Sequence, residues 1–232
     1  MPPQRLRWVP VTASLRPRWP VVIFDLDGTL ADTVNLIVES YQHAFRTVMG
    51  REEDPDVIRS WIGRPLSSAF RDHAPDHADQ LYATYLSWNA DNTERLIRSY
   101  EGAREVLVAL NEAGAKVGVA TSKRRESAQQ AMDLLGLSSH VSALVALEDT
   151  ELHKPEPAPL LLAMERLGES HPSRAAYVGD AVVDVLAGKA AGMATIAVTW
   201  GAGVRANLDK VRPDGIATTP PELRDLLLPR ND

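Results

Sequence analysis

Short apolar runs alternate with segments of helical periodicity along most of this chain. Buried strands are predicted at residues 21–24, 117–120, 143–146, 175–178 and 194–198. Helices are predicted between and after them at residues 102–113, 124–135, 158–167 and 181–191. Because strands that are joined through helices run parallel and need covering on both faces, this order predicts an α/β fold with a mostly parallel sheet between two helical layers. Ligands of such sheets bind beyond the carboxyl ends of the strands.

The alternation is interrupted once, between Leu30 and about Arg98, where we identify no strand. Apolar residues recur there at helical spacing over residues 34–48, and further helices are predicted near residues 54–61, 66–73 and 77–89. A last helix is predicted near residues 222–228. We therefore predict an N-terminal extension over residues 1–20, an α/β core over residues 21–31 and 99–232, and a small helical domain over residues 32–98.

Composition excludes several classes of function. The 232-residue chain has a net charge of −6, which lacks the positive footprint of a nucleic-acid-binding protein. It contains no cysteine, so thiolate catalysis, disulfides and cysteine-ligated zinc are excluded, and a cytoplasmic location is expected. No apolar run of about 18 residues predicts a transmembrane helix. The first 20 residues lack the apolar segment of a secretory signal, and we interpret them as a loosely ordered extension, with a misassigned start codon as the alternative.

Two aspartates follow the first predicted strand, in the segment Asp25-Leu26-Asp27-Gly28-Thr29. Because side chains alternate along a strand, Asp25 and Asp27 point to the same side. Two carboxylates at the end of an apolar strand are costly to keep ionised, and a bound cation or an anion-transfer reaction would account for them. Gly28 permits a sharp turn or a close approach of the backbone to a ligand. A solvated acidic turn is the alternative.

Three further loops carry polar residues directly after predicted strands. Thr121 and Ser122 precede a predicted helix, whose first amides would form an anion site with the hydroxyl, unless the pair merely caps the helix. Lys154 lies in a proline-rich helix start that would hold it in place, and an exposed lysine is the alternative. Asp180 is predicted at a helix start and Asp184 on the same face, where like charges are unfavourable without a cation or a lysine, and a plain helix cap is the alternative for Asp180.

Together these four loops resemble the motifs of the haloacid dehalogenase-like phosphohydrolase superfamily. The matching elements are Asp25-x-Asp27-Gly28-Thr29, Thr121, Lys154 and Gly179-Asp180-x-x-x-Asp184. The resemblance runs from about Val21 to the C-terminus. It implies a Rossmann-like core, and it identifies the helical insert as similar to the mobile cap of that family. Cap hinges are expected near residues 30–33 and 99–102.

The resemblance also implies a role for each matched residue. Asp25 would be the nucleophile that forms an aspartyl-phosphate, and Asp27 would protonate the leaving oxygen and then activate water. Mg²⁺ would be the cofactor, held by the Asp25 and Asp180 carboxylates and by the backbone carbonyl of Asp27. Asp184 would anchor the site through water or Lys154. The residues implied in phosphoryl binding are Gly28, Thr121, Ser122 and Lys154.

Among the reactions of this superfamily, the sequence favours phosphate-ester hydrolysis. The dehalogenases lack the second aspartate, which is present here as Asp27. A phosphonatase would need a lysine in the cap, and residues 31–100 contain none. A sugar-phosphate phosphomutase shares both aspartates and stays open. A non-enzymatic binding protein is disfavoured because every motif position is intact.

Within the superfamily, the chain looks most like the phosphoglycolate phosphatase and pyrophosphatase subgroup. Residues 32–33, 62–66, 147–149 and 205–208 resemble the pyrophosphatase branch, whereas residues 154–160 suit the phosphoglycolate branch equally well. Arg64, in a predicted cap loop, would bind a second carboxylate or phosphate, unless it is a solvated surface arginine. We predict phosphoglycolate or a related small phosphomonoester as the substrate and pyrophosphate as the alternative. No nucleic-acid or membrane partner is expected, and the chain is expected to be a monomer or homodimer.

Overall fold

The computed structural model describes residues 16–229, and the first predicted strand lies at the centre of its main sheet. The strands of this part of the chain are Val21–Phe24 (β1), Ala31–Asp32 (β2), Arg98–Ser99 (β3), Lys116–Ala120 (β4), Ala143–Val145 (β5), Ala175–Gly179 (β6), Ala194–Val198 (β7) and Gly215–Ala217 (β8). Six of them form a parallel sheet in the order β5-β4-β1-β6-β7-β8. The predicted α/β fold with a mostly parallel sheet is thus confirmed.

Strand β1 is apolar throughout because both of its faces are covered. All four of its residues are buried, and Val22 pairs with Val117 of β4 on one side and with Ala176 of β6 on the other. The period of two along the strand sends alternate side chains to opposite faces. Val22 and Phe24 therefore join one apolar cluster, whereas Val21 and Ile23 join another.

Helices cover both faces of the sheet. The α-helices of the insert are Val34–Met49 (α1), Pro55–Trp61 (α2), Leu66–His73 (α3) and Ala78–Leu96 (α4). The α-helices of the core are Ala103–Glu112 (α5), Arg125–Leu134 (α6), Ala158–Arg166 (α7), Val182–Ala190 (α8), Arg205–Lys210 (α9) and Pro220–Leu227 (α10). Helices α5, α6 and α10 pack on the face that carries Phe24, and α7 and α8 pack on the face that carries Ile23. None of the helices within residues 16–229 is long and apolar enough to cross a membrane.

The insert, called the cap below (residues 32–98), has an aromatic core of its own. The Tyr41 ring lies 5.3 Å from that of Trp61, 5.0 Å from Phe70 and 4.9 Å from Tyr85, in edge-on and tilted arrangements. Such pairs add to the stabilisation that burial of their area supplies. The cap therefore has an apolar cluster distinct from those that cover the sheet.

The cap differs from its prediction in two places. The expectation of no strand after Leu30 is wrong by two residues, because β2 pairs antiparallel with β3 where the cap joins the core. Helix α4 does not end near Asn89 but continues to Leu96. The buried Asn89 side chain donates to the Ser40 hydroxyl at 2.9 Å, and Thr93 donates to the Asn89 carbonyl at 2.7 Å. These polar residues resemble a helix end, but the Asn89 side chain is bonded to α1 and the Thr93 hydroxyl is bonded within α4.

Strand β8 and helix α9 were not predicted. Pro213-Asp214-Gly215 is a typical turn sequence, and β8 begins at its glycine and adds only three residues at the sheet edge. The Asp214 carboxylate accepts from the amide and the hydroxyl of Thr195 at 2.8 and 2.9 Å, which joins this segment to β7.

The predicted N-terminal extension lies partly outside the described residues, since residues 1–15 are not described. In the described part, the Arg18 amide donates to the Leu227 carbonyl at 2.9 Å. Trp19 packs against the apolar cluster that contains Phe24. Residues 16–20 are therefore held against the core.

Candidate active site

The predicted site residues of the core come together at the carboxyl edge of the sheet. Asp25 directly follows β1, and its amide donates to Val178 of β6 at 2.8 Å. Thr121 directly follows β4, and its amide donates to Val145 of β5 at 2.9 Å. Because neighbouring parallel strands are in register, the loops that follow them open at the same edge.

Lys154 is the centre of a buried ionic network. Its ammonium lies 2.8 Å from Asp25 Oδ1 and 2.7 Å from Asp184 Oδ1, and the Lys154 side chain is 1% exposed. It also contacts the Tyr177 hydroxyl at 3.2 Å, and that hydroxyl donates to the Ala120 carbonyl at 2.9 Å. Burial alone would lower the pKa of Lys154, but the two carboxylates outweigh it and raise that pKa above its usual range. The lysine is therefore held charged between them.

Asp180 is enclosed by backbone and by a hydroxyl. The Thr29 hydroxyl donates to its Oδ1 at 3.2 Å, and the Ala202 amide donates to its Oδ2 at 2.7 Å. A Cβ added at Gly28 would lie 2.4 Å from Oδ2, and one added at Gly201 would lie 2.2 Å from it. Gly28 also has φ +83°. Both glycines therefore allow the chain to approach the Asp180 carboxylate closely.

Three carboxylates and one ammonium form this cluster. The side chains of Asp25, Asp180 and Asp184 each offer an oxygen within 4.8 Å of the others, and all three residues are buried. Burial and the nearby Asp184 raise the pKa of Asp180 to about 7. Burial raises the pKa of Asp25 well above its usual range, against the opposing charge of Lys154.

This donor set fits a divalent cation. One ammonium cannot balance three carboxylates, so a doubly charged ion would neutralise the cluster. Carboxylate oxygens are the ligands that Mg²⁺ prefers. The residues present therefore fit the Mg²⁺ that the resemblance implies.

The prediction that Asp180 and Asp184 share one helical face is wrong. Helix α8 begins at Val182, so Asp180 lies in the preceding loop. Asp184 lies in the first turn of α8, where its Oδ2 accepts from the Ala181 amide at 2.9 Å. Asp184 thus caps the helix with one oxygen and binds Lys154 with the other.

The Thr121 loop lies ahead of its helix. Helix α6 begins at Arg125 after the cap residue Arg124, so Thr121 and Ser122 do not cap it, and their contact with an anion stays a prediction. The Thr121 hydroxyl accepts from the Lys123 amide at 3.2 Å. The Ser122 hydroxyl donates to the Gly63 carbonyl at 2.8 Å and so joins this loop to the cap.

Asp27 is held at the side of the cluster by two neighbours. The Thr33 hydroxyl donates to its Oδ1 at 2.7 Å, and Lys123 Nζ lies 3.0 Å from Oδ1 and 3.3 Å from Oδ2. The Gly28 amide donates to the Ala31 carbonyl at 2.8 Å and is therefore already paired within the loop. The predicted contact of Gly28 with a substrate stays a prediction.

A cavity of about 80 Å³ lies between this edge and the cap. Its walls include Asp25, Asp27, Thr121 and Lys123 of the core, and Tyr85 and Arg64 of the cap. Arg64 lies 2.6 Å from Asp72, and both side chains are partly exposed. Arg64 therefore faces the cavity, as its predicted role requires, although its ion-pair partner is a residue of the cap.

Three contributing residues were not assigned from the sequence. Lys123 stands beside Thr121 and Ser122, and only that position hinted at a role. Tyr177 is the one large residue of β6, and its hydroxyl reaches Lys154. Trp200, for which the sequence offered no function, donates its indole N–H to the Thr29 carbonyl at 3.1 Å and supports the loop after β1.

Comparisons with known proteins identify the family of this chain. A family model described as haloacid dehalogenase-like hydrolase matches residues 22–198. The chain is 36% identical over 207 residues to pyrophosphatase PpaX of Halalkalibacterium halodurans, which covers 89% of this chain and 95% of that protein. Among solved structures, a haloacid dehalogenase-like family hydrolase from Streptococcus pneumoniae has a TM-score of 0.78 at 25% identity, over 88% of this chain and 95% of the other.

A protein described as a predicted phosphoglycolate phosphatase from Haemophilus somnus shares the fold, with a TM-score of 0.80 at 22% identity over 90% of this chain and 97% of the other. The family model spans most of the described residues, and the pyrophosphatase relative is matched over nearly its full length. The chain therefore belongs to the haloacid dehalogenase-like hydrolase family and is one of its phosphatases.

Proposed function

We propose that this phosphatase hydrolyses a small phosphorylated substrate with Mg²⁺, through an aspartyl-phosphate formed on Asp25. The observation that carries the proposal is the buried network in which Lys154 lies 2.8 Å from Asp25 and 2.7 Å from Asp184. Asp180 lies beside it in the same carboxylate cluster. A network with this charge and burial suits the transfer of an anionic phosphoryl group.

The reaction has two steps. An Asp25 carboxylate oxygen attacks phosphorus, the bond from phosphorus to the leaving oxygen breaks, and Asp27 gives that oxygen its proton. Water then attacks the phosphorus of the aspartyl-phosphate and gives a proton to Asp27, which releases inorganic phosphate and restores both aspartates. Asp27 is suited to this exchange because it lines the cavity beside Asp25 and is oriented by Thr33 and Lys123.

The remaining residues hold charge in place. Mg²⁺ would be held by the Asp25 and Asp180 carboxylates and the Asp27 carbonyl, and it would supply positive charge that neutralises the phosphoryl oxygens. Lys154 keeps Asp25 fixed, and Asp184 keeps Lys154 fixed. Thr121 and Ser122 offer hydroxyl and amide groups to the phosphoryl oxygens.

We propose inorganic pyrophosphate as the first substrate and phosphoglycolate as the second, which reverses the order that the sequence suggested. The name of the 36% identical relative supports pyrophosphate. The cavity supports a small substrate, since its walls come from both the sheet edge and the cap. The absence of cysteine supports a cytoplasmic location.

Phosphate release by purified protein with Mg²⁺ tests this function on pyrophosphate, phosphoglycolate and a hexose phosphate. Asp25→Asn should lower turnover by about 10³-fold or more, because a carboxamide is a far weaker nucleophile. Asp209→Asn, an exposed change on α9, is the matched control and should keep wild-type turnover. Absence of Mg²⁺-dependent release from every substrate would contradict the proposal, and conversion of a sugar phosphate to its isomer without net release would indicate a phosphomutase.

A further inference from the structure

Lys123 holds an unusual position among the cations of the site. Lys154 is committed to Asp25 and Asp184, whereas Arg64 and Arg124 bind carboxylates of the partly exposed residues Asp72 and Glu148. Lys123 lines the cavity, and its ammonium contacts both carboxylate oxygens of Asp27, at 3.0 and 3.3 Å. Its side chain is only 10% exposed. It is therefore a cation held beside the acid of the proposed reaction.

The in-line geometry of phosphoryl transfer relates the position of Lys123 to the leaving group of the substrate. The leaving oxygen lies opposite the attacking Asp25 oxygen, next to the group that protonates it. That group is Asp27 in the proposed function. A cation that contacts Asp27 inside the cavity consequently lies next to whatever group the leaving oxygen belongs to.

We infer that Lys123 is a specificity-determining residue that binds a second anionic group, either phosphate or carboxylate, on the leaving side of the substrate. This inference rests on the proposed function. A lysine ammonium has three donors on a flexible stem, so it can keep one donor on Asp27 and offer another to the substrate. Because the side chain is largely buried, its charge is screened less than that of an exposed lysine.

Lys123 does not change the bonds and protons that are exchanged in the transfer step. The bond between phosphorus and the leaving oxygen breaks, the bond between phosphorus and Asp25 forms, and the proton of Asp27 passes to the leaving oxygen. Lys123 gives up no proton, and its charge stabilises the anion that departs. A substrate without a second anionic group gains little from it.

The test compares pyrophosphate with p-nitrophenyl phosphate, whose leaving group carries no second anionic group. Lys123→Met should lower kcat/KM for both substrates, because Asp27 loses a donor. It should also lower the ratio of kcat/KM for pyrophosphate to kcat/KM for p-nitrophenyl phosphate by about 10- to 100-fold, which corresponds to the loss of one hydrogen bond to a charged group. Lys123→Arg should restore part of that ratio, since it returns the charge.

The matched control is Lys210→Met, which removes an exposed lysine of α9 whose ammonium contacts Asn207. It should leave the ratio unchanged and so excludes an effect of net charge. Thermal unfolding of each variant confirms folding, and Lys123→Gln replaces Lys123→Met if that variant fails to fold. An equal loss on both substrates would overturn the inference and leave Lys123 as a positioning residue for Asp27. Absence of Mg²⁺-dependent phosphate release by the wild-type protein would instead contradict the proposed function.

Discussion

The core and the cap bury polar groups in different ways. At the sheet edge of the core, four charged residues are almost completely buried: Asp25, Lys154, Asp180 and Asp184. The cap instead buries aromatic rings together with neutral polar side chains such as Ser40 and Asn89. Buried charge is costly unless it is paired and hydrogen-bonded, whereas aromatic burial is favourable in itself. The costly buried charges of the core thus lie at the proposed active site, and the cap buries groups that are favourable or neutral.

Removing the ammonium at the centre of the network is expected to have the largest effect. Lys154→Met should destabilise the protein by about 3–5 kcal/mol, because it leaves Asp25 and Asp184 buried without their shared partner. Phosphate release should fall with it, since Asp25 loses its fixed position. Urea unfolding and turnover measure the two effects.

The control for this change lies in the cap. Asp72→Asn breaks the partly exposed ion pair with Arg64, and such pairs contribute about 0–1 kcal/mol. Equal destabilisation by the Lys154 and Asp72 variants would break the contrast between the two regions.

The core should also make stability depend on pH and on Mg²⁺. Asp180 has a folded pKa of about 7 against an ordinary 3.8, so between these values the folded state keeps a proton that the unfolded chain has lost. Stability without metal should therefore fall as pH rises from about 4 to 7, by up to about 1.4 kcal/mol per pH unit for one proton. Mg²⁺ binding to the ionised cluster should reduce this slope and raise stability near pH 7.

Thermal unfolding with EDTA and with MgCl₂ at pH 5, 6 and 7 measures this dependence. Asp180→Asn removes one of the two aspartates whose pKa is raised and should make the profile obtained in EDTA less steep. A metal-free profile that rises from pH 5 to 7 would have the wrong sign for this explanation.

The smallest expected effect lies at the junction of the two regions. Ser122→Ala removes the hydrogen bond from the core to the Gly63 carbonyl of the cap, worth about 0.5–1.5 kcal/mol. The loss should raise KM more than it lowers kcat if the bond holds the cap over the substrate, as the proposed function implies. Ser60→Ala is the matched control, since that exposed hydroxyl bonds within the cap to the Val57 carbonyl. Steady-state kinetics of both variants test this prediction. An unchanged KM in Ser122→Ala would show that the hydrogen bond to Gly63 does not contribute to cap closure.

Much of the fold and of the site could be predicted because their determinants are local in the sequence. The apolar run of β1 predicts a buried strand, and all four of its residues are buried. Helix α3 has the predicted bounds, Leu66–His73. Asp25, Thr121, Lys154 and Asp180 were identified because each lies in the loop region beyond a predicted strand, and parallel strands bring those loops to one edge. The missed elements were short or polar, as in β8 and the end of α4.

The sequence by itself thus determined the class of fold and the type of chemistry, since strand periodicity and loop position need only neighbouring residues. Tertiary structure decided which partners those residues have. Lys123 meets Asp27 across 96 positions of the chain, and Lys154 meets Asp25 across 129. The close approach of Gly201 to Asp180 and the bond from Ser122 to Gly63 are likewise contacts between distant segments. No local pattern encodes such pairs, because they depend on how packed elements orient their side chains.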